Sequence, residues 1–189
     1  ATIALRPAAY RTAALPATRV RVPVVIVGNI TAGGTGKTPL ARWIVERLQA
    51  SGRHPGLVTR SYAADARAAA RVHAHDDPRV RGDEAVLHAS TLTCPVWSGP
   101  DRLATARALL AAHPEVDTLV CDDGLQHYAL ARDVEIAVLD AARGFGNRLP
   151  LPGGPLREPI SRLGAVDAIV LKGEARIAGL PASVPTGPS

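Results

Sequence analysis

The chain has 189 residues, a formal net charge of +5 and 47% hydrophobic residues, which together predict a folded domain and exclude wholesale disorder. No stretch approaches the ~20 apolar residues of a membrane-spanning helix. Cys94 and Cys121 are the only cysteines and lie far apart, outside any metal-ligand spacing, so we expect two small buried side chains.

The N-terminal part of the chain is basic. Residues 1–45 contain six arginines and lysines but no Asp or Glu. We interpret residues 1–21 as an irregular or partly helical lead-in whose charge suits nucleic acid, membrane headgroups or simply solvent. These alternatives stay open on composition alone.

A strand, a glycine-rich turn and a helix follow the lead-in. The unbroken apolar run at residues 22–27 is typical of a strand buried on both faces. A helix is predicted from about Thr38 to Ala50. The apolar residues of its predicted buried face are Leu40, Trp43, Ile44 and Leu48.

Further strands and helices alternate along the rest of the chain. Strands are predicted at residues 55–60, 117–121, 134–140 and 166–171, and helices at residues 83–90 and 101–112. This alternation predicts an α/β fold, a parallel sheet with helices on both faces. The glycine-rich turn between the first strand and its helix makes the predicted fold P-loop NTPase-like. In such folds, ligands bind at the carboxyl ends of the strands.

The predicted core domain spans residues 22–173. Within it, residues 143–159 are too rich in Gly and Pro for regular structure, and long loops inside compact domains are usually functional. Residues 174–189 have no packing pattern, and we interpret them as a linker or a truncated tail.

The glycine-rich turn has the residues of a phosphate-binding loop. In the motif G-x-x-x-x-G-K-[ST], backbone N–H groups wrap the phosphates, the lysine reaches the outer ones and the last hydroxyl holds Mg²⁺. Gly36, Lys37 and Thr38 match this motif, whereas Thr31 stands in place of the first glycine. The alternative is a glycine-rich turn that binds no nucleotide.

A second motif, LVCDDGLQH at residues 119–127, ends a predicted strand in two carboxylates. P-loop enzymes complete their Mg²⁺ site with such an acid. Because adjacent side chains point to different sides, one of Asp122 and Asp123 can face the metal while the other makes a different contact. Gln126 and His127 follow within a turn and can place a hydrogen bond near the same phosphate. The alternative is an ordinary Asp-Asp-Gly turn.

A third motif, GDE at residues 82–84, opens a predicted helix, where the helix dipole favours acids in any case. A hydroxyl group that accepts a phosphoryl group needs a carboxylate to receive its proton. Asp83 is the leading candidate for that base, because the acids of the second motif are assigned to the metal.

These motifs, in this order, resemble the tetraacyldisaccharide 4'-kinase family, the lipid A 4'-kinases of Gram-negative bacteria. The resemblance covers most of residues 19–173 and extends to the threonine at position 31. The matching stretches are VPVVIVGNITAGGTGKTP at residues 22–39, GDE at residues 82–84, DDGLQHYALARDVEIAVLD at residues 122–140, and RGFGN with GPLREP within residues 143–159.

The resemblance implies transfer of the γ-phosphoryl group of ATP to the 4'-hydroxyl of a tetraacylated glucosamine disaccharide 1-phosphate. It implies a lipid disaccharide substrate and peripheral attachment to the cytoplasmic face of the bacterial inner membrane. We also expect a monomer without a nucleic-acid partner.

The resemblance further implies a role for each residue of the motifs. The ATP loop would consist of Thr31, Ala32, Gly33, Gly34, Thr35, Gly36, Lys37 and Thr38. Mg²⁺ would be held by Thr38, Glu84 and one of Asp122 and Asp123. The catalytic residues would be Asp83 as the base, together with Lys37, Asp123, Gln126 and His127.

The sequence departs from the family pattern in three ways. The stretch TRSYAA at residues 59–64 has Ser61 and Ala63 where the family has glycines, and Asn147 is followed by Arg148 where the family has glycine. The family is also considerably longer, with a membrane-docking N-terminal helix and a further C-terminal half. We therefore expect the chain to be a fragment.

The strongest alternative is a nucleotide-driven switch of the partition-ATPase type, because the loop nearly matches the signature K-G-G-x-G-K-T. The first lysine of that signature reaches across a dimer to the partner's phosphates, and Ala32 stands at its position. A GTPase is disfavoured because LKGE at residues 171–174 only faintly matches the guanine motif Asn-Lys-x-Asp. Aromatic residues for stacking bases make up only 3% of the chain, which disfavours a nucleic-acid-binding ATPase.

Overall fold

The computed structural model of the chain describes residues 17–61, 68–174, 177 and 180. These residues form a seven-stranded, mostly parallel sheet flanked by helices, which confirms the predicted α/β architecture. The strands are β1 (Val24–Gly28), β2 (Pro55–Arg60), β3 (Ala70–Arg71), β4 (Val96–Gly99), β5 (Thr118–Asp122), β6 (Val134–Asp140) and β7 (Ala168–Lys172).

The strand order is β3-β4-β2-β5-β1-β6-β7, which places β1 between β5 and β6. All neighbouring strands are parallel except β3, which pairs with β4 in the antiparallel direction. The carboxyl ends of the six parallel strands therefore meet at one edge of the sheet. The glycine-rich turn follows β1 at this edge, and the acidic pair lies at the end of β5.

Helices connect the strands in the described part of the chain. They are α1 (Lys37–Ala50), α2 (Pro78–Arg81), α3 (Asp83–Thr91) and α4 (Arg102–Ala112), together with a 3₁₀ helix at Ile160–Ala165. None of these helices is both long and apolar enough to span a membrane.

Each face of the sheet carries its own hydrophobic core, because successive residues of a strand point to opposite faces. On one face, Ile26 and Leu119 pack with residues of α4 and the 3₁₀ helix. On the other face, Val27 and Val120 pack with residues of α1 and α3. Burial on both faces explains why β1 reads as an unbroken apolar run and why the middle of β5, LVC, is apolar on both faces.

Both cysteines are buried free thiols, as predicted. Burial raises the pKa of the Cys94 thiol to about 12. The same effect raises the pKa of the Cys121 thiol to about 11. Thiols of this kind are inert and serve as small apolar side chains in the core.

The predicted buried face of α1 is wrong at Trp43, which is 53% exposed and has the Arg47 guanidinium 5.6 Å from its ring centroid. The face that packs on the sheet contains Ala41 and Val45. Trp43 lies two residues from each of them, about 200° around an α-helix, so its side chain points away from the sheet.

Two short strands are missing from the sequence-based prediction. They are β3, with two residues, and β4, with four residues whose sequence is VWSG. Such short segments have no periodicity that separates a strand from a loop, and the pairing with β2 decides the outcome for β4.

The loop at residues 143–159 has no helix or strand of its own, as predicted. It packs along the glycine-rich turn: Leu156 forms an isolated antiparallel bridge with Thr31, and the Ala32 N–H donates to the Pro155 carbonyl at 2.7 Å. Residues 1–16 and most of residues 174–189 lie outside the described residues, so the predicted division into lead-in, core and tail stays a prediction.

A substitution at Leu109 tests the packing of α4 against the sheet. Replacing this fully buried side chain with alanine is expected to lower the free energy of unfolding by about 2–5 kcal/mol, since apolar contacts are lost and a cavity remains. Leu87 is also helical but 46% exposed, so Leu87→Ala serves as the matched control, with a loss below about 1 kcal/mol. Urea denaturation measures both values, and equal losses would contradict the packing described for α4.

Candidate functional site

The glycine-rich loop between β1 and α1 has a backbone shape that requires glycine at two positions. Gly33 and Gly36 have φ angles of 100° and 91°, in the region that side chains disfavour. The Asn29 side-chain amide donates to the Gly33 carbonyl at 3.3 Å and to the Thr35 hydroxyl at 3.0 Å. The Asn29 side chain is fully buried, and its two hydrogen bonds fix the backbone of the loop.

The N-terminus of α1 is left available for an anion. No side chain caps it, and its first turn contains no acidic residue. The first N–H groups of a helix have no partner within the helix, and they carry the positive end of its dipole. A Cβ atom built on Gly34 would meet nothing within 4 Å, so the loop is open on that side. These features together are those of a phosphate cradle.

Lys37 and Arg157 both contact Asp123 at the mouth of this loop. The Lys37 Nζ lies 3.5 Å from Oδ1 of Asp123, and Arg157 donates to both carboxylate oxygens at 3.0 and 3.1 Å. Lys37 and Asp123 are 7% and 5% exposed, so this contact is shielded from solvent. Asp123 has a φ angle of 53°, which turns the chain immediately after β5.

Asp122 points to the other side of the turn, as expected for adjacent acids. Its Oδ2 lies 2.9 Å from Nε2 of His88, and both side chains are fully buried. The Arg102 guanidinium donates to the Asp122 carbonyl at 2.8 Å. Oδ1 of Asp122 is buried without a hydrogen-bond partner among the described residues, which leaves one carboxylate oxygen for another ligand.

Glu84 lies in the same electrostatic environment. Burial raises the pKa of its carboxyl group, the charge of Asp122 raises it further, Lys37 lowers it, and Asp123 raises it again. Glu84 therefore faces the same site as the acidic pair. Its neighbour Asp83 is the first residue of α3 and is exposed, with its side chain accessible to a second substrate.

Gln126 is held between the glycine loop and the Gly/Pro-rich loop. Its amide donates to the Asn29 carbonyl at 3.0 Å and to Oε1 of Glu158 at 2.7 Å. The Tyr128 hydroxyl donates to the other oxygen of Glu158. Glu158 is only 3% exposed, so a buried carboxylate fixes the orientation of the predicted site residue.

His127 is partly buried beside arginines. Burial first, and then the positive charges of Arg102 and Arg60, lower the pKa of its imidazole to about 4. The imidazole is therefore neutral at physiological pH. A neutral imidazole can both donate and accept a hydrogen bond at the site.

The residues present fit a magnesium ion, although among the described residues no three His, Cys, Asp or Glu side chains form a metal centre by themselves. Mg²⁺ is usually bound by one or two carboxylates and by substrate phosphates. Two features fit a bound cation: Oδ1 of Asp122 has no hydrogen-bond partner in the described part of the chain, and burial and then repulsion from Asp122 raise the pKa of Glu84. The predicted ligand set of Thr38, Glu84, Asp122 and Asp123 stays a prediction.

The structure brings together most of the predicted site residues and adds others. Sequence reasoning assigned no role to five residues that orient or pair with the predicted ones. Those five residues are Asn29, His88, Arg102, Arg157 and Glu158. The charged pair Arg157-Glu158 inside an otherwise Gly- and Pro-rich loop is the signal that could have found two of them. Ser61 is buried, whereas Ala63 lies outside the described residues.

Comparison with known proteins settles the family. The family model described as LpxK, tetraacyldisaccharide-1-P 4'-kinase, matches residues 1–184. The chain belongs to this family. It is 51% identical over 171 residues to the tetraacyldisaccharide 4'-kinase of Azoarcus sp. strain BH72, covering 90% of this chain and 50% of the relative. It is 54% identical over 170 residues to the tetraacyldisaccharide 4'-kinase of Aromatoleum aromaticum, covering 90% and 50%.

The fold also matches a solved structure of the family. The crystal structure of LpxK from Aquifex aeolicus in complex with ATP superposes with a TM-score of 0.79 at 28% identity, covering 94% of this chain and 58% of that chain. This match confirms the predicted fold of the P-loop NTPase type. The chain spans about half the length of the curated relatives that it matches.

The lowered pKa of His127 predicts a specific titration. We expect the folded imidazole to titrate near pH 4, whereas the unfolded chain takes up that proton near the ordinary value of about 6.5. Between these values the unfolded state binds more protons, so the free energy of unfolding falls as pH falls from about 6.5 to about 4. NMR of ¹³C-labelled histidine measures the titration, with His127→Gln to assign the signal. A midpoint at pH 6 or above would contradict the burial described.

Proposed function

We propose that the protein containing this chain is a kinase that phosphorylates the 4'-hydroxyl of a tetraacylated glucosamine disaccharide 1-phosphate, with ATP as the donor. In this reaction the hydroxyl oxygen forms a bond to the γ-phosphorus of ATP. The bond from that phosphorus to the β–γ bridging oxygen breaks, and ADP leaves. The hydroxyl proton passes to the carboxylate of Asp83.

The observation that carries the proposal is the contact of Lys37 with Asp123 at the mouth of an uncapped helix N-terminus. It joins the phosphate loop to the acidic turn at the end of β5, the two parts that P-loop enzymes use together around a nucleotide. Family membership and the names of the relatives support the choice of reaction and acceptor.

Each group at the site has a task that its position supports. Lys37 and the N–H groups of the loop would bind the phosphates, and neutral His127 would donate a hydrogen bond to the transferred group. Gln126, whose amide donates to Asn29 and Glu158, would support the active site by holding the two loops around that group. Magnesium, when bound, would supply positive charge that offsets the charge of the phosphates. Thr38, Glu84 and the acidic pair would be its protein ligands.

Asp83 suits the role of base because it is exposed at the start of α3 while its neighbour Glu84 faces the acidic pair. A base must reach an acceptor that arrives from solvent, whereas metal ligands lie deeper. The same helix would therefore supply one carboxylate to each task.

We further propose that the enzyme acts as a monomer on the cytoplasmic face of the bacterial inner membrane, where an acylated disaccharide is held. The basic character of residues 1–45 supports attraction to anionic headgroups. No nucleic acid is part of this proposal, because aromatic residues that could stack on bases are scarce.

A partition-ATPase switch is the second candidate, favoured only by the sequence AGGTGKT. Ala32 lacks the positive charge that such proteins place at this position. The kinase proposal therefore has the stronger support.

The two candidates differ in their need for an acceptor. With ATP, Mg²⁺ and the tetraacylated disaccharide 1-phosphate in detergent micelles, we expect ADP formation to depend on the acceptor and to match the phosphate found on it. Thin-layer chromatography of the ³²P-labelled lipid and a coupled ADP assay measure both products. An ADP rate that is unchanged without the acceptor would favour the ATPase switch.

Substitutions of Asp83 and Lys37 are expected to impair the enzyme in different ways. Asp83→Asn should lower kcat by about 10²–10⁴-fold and leave the Kd for ATP unchanged, because only the proton acceptor is lost. Lys37→Ala should weaken ATP binding as well, because the phosphate contact is lost. Glu46→Gln, which removes an exposed carboxylate on α1, is the control and should behave as the parent. A parent-like kcat for Asp83→Asn would exclude it as the base.

A further inference from the structure

Arg143 lies over the first half of the glycine loop. A Cβ atom built on Gly33 would lie 2.8 Å from Nη1 of Arg143, so the guanidinium is in contact with the loop at that residue. Arg143 also lines a cavity of about 200 Å³ with Thr31, Ala32 and Thr35 of the loop. Arg143 is not among the site residues predicted from the sequence, so this cation has no assigned role.

The turn that carries Arg143 is fixed by its own hydrogen bonds. Oδ1 of Asp140 accepts from the Arg143 N–H at 3.3 Å, and the Gly144 N–H donates to the Asp140 carbonyl at 2.9 Å. Phe145 is buried in the hydrophobic core and anchors the next residues. A hydrogen-bonded turn at the end of β6 thus places Arg143 next to the loop.

The guanidinium itself is not used for structure. No carboxylate of the described residues forms an ion pair with Arg143, and the side chain is exposed at the cavity. Asp140, the nearest acid along the chain, uses its oxygens for backbone N–H groups of the turn and for Lys172, 4.0 Å away. A guanidinium has five N–H donors in a fixed, forked arrangement, and this arrangement matches the oxygens of a phosphate group.

The position of Arg143 also supplies a positive charge that the loop sequence itself lacks. Partition ATPases place a lysine where this chain has Ala32, and that lysine brings a positive charge to the phosphates from across a dimer. Here the Arg143 guanidinium reaches the adjacent residue, Gly33, from within the same chain. Since the helix N-terminus takes the inner phosphates, the first half of the loop borders the outer end of the phosphate chain.

We propose that Arg143 contacts the γ-phosphoryl group of the nucleotide in the glycine loop and stabilises the charge on its oxygens during transfer. This inference rests on the proposed function and adds a residue to it. Catalysis of phosphoryl transfer consists mainly of positioning and charge stabilisation, and an arginine supplied by the same chain can do both.

The test compares nucleotides that differ in the third phosphate. Isothermal titration calorimetry of the 189-residue chain with Mg²⁺ gives the Kd values for ATPγS and for ADP. Arg143→Ala is expected to raise the Kd for ATPγS by at least about tenfold, the loss of charge-assisted hydrogen bonds, and to change the Kd for ADP less than about twofold. Arg143→Lys keeps the charge without the fork and should recover part of the loss.

Arg107→Ala is the matched control, since it removes one exposed positive charge on α4, away from the loop, and should change neither Kd. Lys37→Ala should weaken both nucleotides. The proposal is overturned if Arg143→Ala raises both Kd values equally or changes neither, with urea denaturation confirming that the variant is folded. Because this readout needs no acceptor, it separates a failure of Arg143 from a failure of the proposed lipid kinase activity.

Discussion

A buried carboxylate between two cations fixes the geometry of this site. Asp123 is 5% exposed, and a charge so shielded from water is tolerated only when it is paired and hydrogen-bonded. Lys37 and Arg157 supply that pairing from two loops that are far apart in the sequence. One side chain thus holds the phosphate loop, the end of β5 and the Gly/Pro-rich loop in a single arrangement. Removing either cation would leave the carboxylate undercompensated, so the contact also links the stability of the fold to the chemistry of the site.

The groups around Asp123 are oriented by buried partners that reach little or no solvent. Fully buried His88 holds one oxygen of Asp122, and Glu158, 3% exposed, holds the amide of Gln126. In a surrounding of low polarity such hydrogen bonds are strong, and a missing partner is costly. The site residues therefore keep one orientation before any ligand arrives, which lowers the cost of positioning a phosphoryl group.

The sequence predicted what is local and missed what is made by distant pairs. The apolar runs of β1 and β5 identified buried strands because burial on both faces removes polar positions, and the glycine loop is a motif of consecutive residues. His88 and Arg102 carried no such signal, because their roles depend on which strand ends and helices lie side by side. Trp43 failed for a related reason: its apolar character fits a buried face, yet the packing of Ala41 and Val45 on the sheet turns it outward.

The order of the strands places different charged groups on the two sides of the phosphate loop. β1 lies between β5, which ends in the acidic pair, and β6, which leads to Arg143. Lys172, at the end of β7, brings its aliphatic stem within 3.4 Å of a Cβ position on Gly36, on the same side as Arg143. A phosphate chain in the loop would thus meet Arg143 and Lys172 on one side and, on the other, the carboxylates together with Lys37 and Arg157, which pair with Asp123. Asp123 is already paired with Lys37 and Arg157, so the remaining repulsion on the β5 side would come from Asp122, whose Oδ1 has no hydrogen-bond partner among the described residues, and from Glu84, whose pKa is raised by burial and by Asp122. A cation bound with the nucleotide on the β5 side would offset the repulsion between these two carboxylates and the phosphates.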